Sequence, residues 1–168
     1  MTTATLAESS YAASGLDVAY PEDPIRILVT GWRAWPLAQR QFIWDELDSL
    51  WQKFGLAWQR DKLIIIHGQC PYGGVDLHAE NWTQARQQRW ERHPAERRGG
   101  RLLGPERNAK MVSLGARLCI GFPGPGSRGT WDCLEKATNA GIETYSKSWF
   151  EAAKVAPQPP LEEQLHAF

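Results

Sequence analysis

The sequence predicts an α/β protein, a Rossmann-like three-layer sandwich on a mostly parallel sheet. Three observations lead there. Apolar runs of strand length recur, segments of helical periodicity lie between them, and polar loops bearing glycine follow the apolar runs. A chain of 168 residues has room for one domain with short extensions, or at most two very small domains.

Residues 1–24 are rich in Thr, Ala and Ser, carry four acids and no Lys or Arg, and end in Pro21 and Pro24. They read as a mobile or loosely draped arm. Order is expected to begin at Ile25, and Ile25 to Thr30 is a short apolar run ended by Gly31, hence a buried strand. Pro36 opens a helix with Ile43, Leu47, Leu50 and Phe54 inward, ended by Gly55. Leu63 to His67 is a second buried strand. The next helix repeats Val75, Ala79, Trp82 and Ala85 on one face. Pro105 starts another, carrying Ala109, Val112 and Ala116 inward. Arg117 to Phe122 is a third strand, a helix follows from about Thr130 to Ala140, and Ile142 to Tyr145 is a short last strand. Pro157, Pro159 and Pro160 mark a tail. The expected division is an arm at 1–24, a domain at 25–150 and a tail at 151–168.

Nineteen basic and nineteen acidic residues cancel. The balance excludes a basic nucleic-acid coat and an acidic disordered tail as descriptions of the whole chain. It hides a local excess: Arg86 to Lys110 holds seven Arg and one Lys against three Glu, continuing through Arg97-Arg-Gly-Gly-Arg101. This run reads either as a solvated face or as an anion-binding rim. No run reaches transmembrane length, the N-terminus lacks signal-peptide features, and Cys70, Cys119 and Cys133 show no paired spacing. A cytoplasmic protein without a disulfide framework is expected, with the thiols as packing residues. Neither His67 nor His93 belongs to a metal-binding pair, so no metal is expected. The nine tryptophans need either a core of large rings or a ligand to cover. Trp82 and Trp131 suit helix packing. Trp44 and Trp51 suit a wide core face or a dimer seam, and Trp32 and Trp35 sit where a nucleobase could stack.

In a parallel sheet, ligands bind beyond the C-terminal strand ends. Three unusual loops fall there: Thr30-Gly-Trp-Arg33, His67 through Asp76, and Pro123-Gly-Pro-Gly-Ser-Arg-Gly-Thr130. In the last, Gly124, Gly126 and Gly129 let backbone approach a ligand, and the next helix offers free N–H groups. Thr130 either caps that helix or bonds a phosphate oxygen, and Arg128 adds charge. In the first, Gly31 gives backbone access and Arg33 a phosphate fork, with Trp32 as a cover. Asp76 is either a helix N-cap or an acceptor for ribose hydroxyls.

Taken together these segments resemble the SLOG superfamily of Rossmann-like nucleotide-binding proteins, most nearly the YspA-type SLOG family known from bacteria and phages. The shared pattern is Thr30-Gly-Trp-Arg33, His67-Gly with Gly74-Val-Asp76 and Ala79, Arg92-His-Pro-Ala95, Gly104-Pro-Glu-Arg-Asn108 with Met111, then Phe122-Pro-Gly and Gly129-Thr130. The resemblance implies a further strand near Glu91 to His93, making a sheet of about five. It implies a nucleotide pocket lined by Thr30, Gly31, Trp32, Arg33, His67, Gly68 and Asp76, with Arg107 and Asn108 beside the phosphate or glycosidic bond. Pro123, Gly124, Gly126, Ser127, Arg128, Gly129 and Thr130 would hold the phosphate. No separate cofactor is implied, the nucleotide being ligand or substrate. The related LOG phosphoribohydrolases carry Pro-Gly-Gly-x-Gly-Thr and, after two more residues, a catalytic Glu. Here the loop is longer and Cys133 stands at that position, with Asp132 and Glu135 nearby.

Two main functions follow from the resemblance. One is binding, as a sensor or sequestering protein. The other is N-glycosidic hydrolysis, with Asp76, Asp132 or Glu135 orienting water or stabilising an oxocarbenium-like state and Arg107 holding phosphate. A single-stranded nucleic-acid binder using the Arg-rich segment is the third reading. SLOG proteins commonly form homodimers, so a homodimer or higher homo-oligomer is expected, with no membrane partner.

Overall fold

The computed structural model describes residues 23–54 and 62–155. Most of the predicted arm, Gly55, Trp58 and the tail from residue 156 lie outside the described residues.

Five parallel strands form one sheet: β1 (Ile25–Gly31), β2 (Leu63–His67), β3 (Arg89–Arg92), β6 (Leu118–Phe122) and β7 (Glu143–Ser146). Their order is β3-β2-β1-β6-β7, so the chain runs outward from β1 to one edge and then crosses back to the other. Between β3 and β6 lie a two-stranded antiparallel hairpin, β4 (Arg97–Arg98) with β5 (Arg101–Leu102), and helix α3 (Gly104–Ser113). Helices α1 (Arg40–Lys53), α2 (Val75–Ala85), α4 (Arg128–Asn139) and α5 (Trp149–Ala152) complete the fold. A 3-10 turn, Leu37–Gln39, occupies the start of the predicted first helix, because Pro36 sits extended just before it. At the C-terminal end, α5 runs past the expected domain boundary at 150 and is closed by a reciprocal Ser148–Glu151 capping box.

The central strands are buried on both faces, and alternation sorts their side chains into two cores. Ile27, Val29, Leu63, Ile65, Leu118 and Ile120 face α1 and α2. Leu28, Ile64, Ile66 and Cys119 face α3 and α4, meeting Met111, Val112, Cys133 and Leu134. These are the three layers expected from the sequence.

Several expectations need correction. Ala109 is exposed; Val112 and Ala116 do turn inward as expected, and Asn108 and Met111 take the rest of the inner face of α3. Ala85 is exposed at the last turn of α2. Trp131, expected to pack, is 54% exposed, because Thr130, Cys133 and Leu134 supply the buried stripe of α4. Trp35 is buried against Phe42, Phe122 and Trp149, where no base could reach it. Trp44 and Trp51 do widen the core face. The Trp44 indole N–H donates to His78 O (2.9 Å), and Trp51 meets Trp82 edge-on at 6.0 Å.

Trp82 closes the core beneath α1. Its ring is fully buried, and its N–H donates to Asp48 Oδ1 at 2.9 Å, which Arg86 also binds. Trp82→Ala removes ring, hydrogen bond and edge contact together and is expected to cost about 3–5 kcal/mol by urea unfolding. A loss below about 1 kcal/mol would remove the ring from the core.

Candidate functional site

The sheet order reverses at β1, whose neighbours β2 and β6 send their connections to opposite faces. The loops beyond β1, β2 and β6 therefore part there and leave a crevice. A cleft of about 680 Å³ occupies it, a volume suited to a small ligand.

One wall comes from the loop after β1. Trp32 N–H donates to Phe122 O (2.9 Å) and Trp32 O accepts from Val75 N–H (3.2 Å), so this loop is held between β6 and α2. Gly31 lacks a side chain because Val75 occupies the space: a Cβ there would meet it at 2.4 Å. Trp32 is half-buried, and its indole lies over Gly124, where a Cβ would meet the ring at 2.3 Å. The Trp32 ring thus covers Gly124, which does not line the cleft, whereas Gly31 does line it. Gly129 is open and Gly126 adopts φ +69° with open space beside it, and both line the cleft.

The second wall is the loop after β2. His67 is 1% exposed and lies beneath the cleft rather than in it. Its Nδ1 accepts the Gln69 N–H at 3.1 Å, and its Nε2 lies 3.1 Å from Glu80 Oε2. Burial pushes its pKa down to about 4 despite Glu80, so the ring is neutral and braces the turn. That turn presents the Cys70 N–H to Asp76 Oδ2 at 2.9 Å. Asp76 therefore does not cap α2, whose N-cap is Gly74; it reaches back into the loop. Asp76 is 6% exposed, and burial raises its pKa to about 6 against the opposing pull of the Cys70 N–H and the Arg107 charge.

The floor is Arg107, held from behind by Asn108. Arg107 Nη1 donates to Gly68 O at 2.6 Å, and its guanidinium lies so close over Gly68 that a Cβ there would sit 1.7 Å from it. Arg107 Nε donates to Asn108 Oδ1 at 2.9 Å. Asn108 Nδ2 in turn donates to Gly129 O (3.1 Å) and Asp132 Oδ2 (2.9 Å). Asn108, 1% exposed, does not line the cleft; it ties Arg107 to the start of α4.

The third wall is the Pro123–Thr130 loop. Ser127, not Thr130, is the N-cap of α4, and its hydroxyl accepts from Gly124 N–H at 2.8 Å. The first intrahelical bond runs from Trp131 N–H to Ser127 O, which leaves the Gly129 and Thr130 N–H groups without helical acceptors. Thr130 is buried, lines the cleft, and its hydroxyl has no protein partner among the described residues. Pro123 lies behind the cleft and accepts from Trp149 N–H at 2.8 Å.

Two candidate acids stand apart. Asp132 pairs with Lys136 and Asn108, and Glu135 is exposed on α4; neither lines the cleft. Cys133 is buried beside Cys119 and Thr30. Among the described residues no group of His, Cys, Asp and Glu could hold a metal, and no helix is long and apolar enough to cross a membrane. The cleft also uses residues given no role from sequence: Tyr72, Cys70, Pro94, Ala95, Leu102 and Met111. Three of these, Pro94, Ala95 and Met111, stood in the shared pattern. Tyr72 is exposed with the Arg33 guanidinium 5.2 Å from its ring centre, and only its place in the β2 loop could have flagged it.

Sheet order and cleft define a Rossmann-like protein with a cleft at its switch point. The model of the YspA, cpYpsA-related SLOG family matches residues 25–100. The gene 61 protein of Mycobacterium phage D29 is 33% identical over 131 residues, covering 70% of this chain and 91% of that protein. This chain belongs to the YspA, cpYpsA-related SLOG family. Membership implies nucleotide-related binding in general. No solved structure matches the chain.

The Asp76 carboxyl supplies a test of the site's electrostatics. Folding raises its pKa from 3.8 to about 6, so the folded state holds the proton more tightly between those values. Stability from this group therefore falls as pH rises from about 4 to about 6, by roughly 3 kcal/mol at most. The difference in unfolding free energy between the parent chain and Asp76→Asn should fall across that window. A flat difference curve would show that Asp76 is not buried as described.

Proposed function

We propose that the protein binds a nucleotide or nucleotide-derived ligand in this cleft, as a sensor or sequestering protein. The observation that carries the reading is the pairing, in one crevice, of a buried carboxylate with a bare helix N-terminus. Asp76 suits ribose hydroxyls, which donate to a carboxylate. The Gly129 and Thr130 N–H groups, the Thr130 hydroxyl and Arg128 suit a phosphate. Arg107 faces both, and Trp32 and Tyr72 offer aromatic surface for a base. Thr30, Gly31, Arg33, Gly68, Gly126 and Ser127 complete the proposed contacts. His67, Asn108, Pro123 and Gly124 act behind the cleft, holding these groups in place.

An N-glycosidic hydrolase is the second reading. It is favoured by Asp76, a carboxyl with a raised pKa beside an arginine in a cleft, as a general acid or base would be. Against it, Asp76 is the one acid among the cleft-lining residues, since Asp132 and Glu135 lie outside it. Binding needs no second acid. The charged run divides in the same direction: Arg86 and Arg92 are paired with Asp48 and Glu80, which breaks the continuous basic stripe a nucleic-acid strand would follow.

A panel of ribonucleotides, followed by thermal shift and by chromatography of the mixture, tests the proposal. Expected is a rise in melting temperature without release of free base. Asp76→Ala and Arg107→Ala should each weaken binding roughly ten-fold or more. Release of free base would establish the hydrolase instead, and no shift with any nucleotide would defeat both readings.

A further inference from the structure

Two sets of arginines stand apart among the described residues. Arg26, Arg86, Arg92 and Arg117 each form an ion pair, with Glu91, Asp48, Glu80 and Glu143 respectively. Arg33, Arg97, Arg107 and Arg128 line the cleft, and none of the four has a carboxylate within ion-pair distance among the described residues. Against them the cleft lining offers one acid, Asp76.

Arg97 reaches the cleft from a separate element. The β4–β5 hairpin pairs Arg97 with Leu102 and Arg98 with Arg101 around Gly99 and Gly100, both at positive φ. Directly opposed residues share a face. All three arginines are exposed, but only Arg97, with Leu102, lines the cleft; Arg98 and Arg101 do not. The only hydrogen bond Arg97 makes among the described residues is from Nη1 to Gly100 O at 3.2 Å, within its own hairpin. The cleft thus has two cationic places on different elements. One is the start of α4, with Arg128 and with Thr130, a residue 3% exposed whose hydroxyl has no partner among the described residues. The other is the hairpin with Arg97.

A single phosphate monoester carries about −1.5 to −2 charges near neutrality. One such group at α4 would leave the hairpin arginine unanswered. We infer that the ligand carries a second phosphate beyond the one on its ribose, bound by Arg97 of the hairpin, so that the cleft selects nucleoside di- or triphosphates, or pyrophosphate-bridged nucleotides, over monophosphates. This rests on the nucleotide reading and narrows it.

The test is calorimetric titration of the full chain with the mono-, di- and triphosphates of adenosine, guanosine, cytidine and uridine. For the preferred base, the diphosphate should bind at least about ten-fold more tightly than the monophosphate, as one added charge-assisted contact provides. Arg97→Ala should remove that preference and leave monophosphate affinity unchanged. Arg98→Ala, on the opposite face of the same hairpin, should leave the preference intact and controls for hairpin folding. Equal affinity for mono- and diphosphate would overturn the inference while leaving nucleotide binding standing. So would an Arg97→Ala variant that weakens all of them alike, or one that keeps the preference. Failure of every nucleotide to bind would overturn both.

Discussion

The hydrogen bonding of β1 on both sides is the constraint from which the rest of this structure follows. β1 meets β2 through Ile25 to Leu28 and β6 through Ile27 to Gly31, both in parallel. Parallel pairing requires crossovers. The connections on the two sides of β1 cover opposite faces, and both β2 and β6 end in loops at the same edge. The crevice is therefore a product of topology before any side chain is considered. What the sequence adds is what lines it.

A short chain of contacts then sets the lining. His67 braces Gln69, and the loop so held offers its Cys70 N–H to Asp76. Across the floor, Gly68 makes room for Arg107, Asn108 holds Arg107, and the same amide grips the first turn of α4 through Gly129 O. The β2 loop, α3 and α4 are thereby joined by hydrogen bonds in which the Arg107 guanidinium donates to neutral oxygens, Gly68 O and Asn108 Oδ1. The arginine needs no acid to fix it and keeps its charge for the cleft. Asp76 is the reverse case, a carboxylate that burial penalises at its own position.

The fold was largely legible because its central strands are continuous apolar runs, and such runs are what a two-sided parallel sheet demands. Leu63–His67 needed no structure to be drawn. β3 was not legible from pattern: Arg89-Trp-Glu-Arg is an exposed edge strand with almost nothing to bury, and only the family resemblance pointed near it. The Arg-Gly-Gly-Arg hairpin carried its signal in the paired glycines, but strands of two residues leave no periodicity to read. In α3 only Ala109 was misplaced, because Asn108, a polar residue, holds an inward position that hydrophobic counting gives to an alanine. In the site, loop position brought Asp76, Arg33 and the Gly129–Thr130 segment to one place. Sequence could not separate residues that line the cleft from those that stand behind it. Asp76, Arg107 and Gly129 line the cleft and His67, Asn108 and Gly124 do not, a difference set by the fold and not by loop position.

Gly124 and Trp32 share one volume, the indole filling the place where a side chain at 124 would begin. Two distant positions are in this way tied into a single evolutionary character. While the indole is kept, residue 124 cannot drift to alanine without displacing the ring, which also packs against Trp149 at 5.6 Å. A descendant that first exchanged Trp32 for a smaller residue would release position 124, and the shape of the cleft wall would then be free to diverge. Diversification of this site is therefore expected to proceed in paired steps, with the glycine of the β6 loop following the residue after β1.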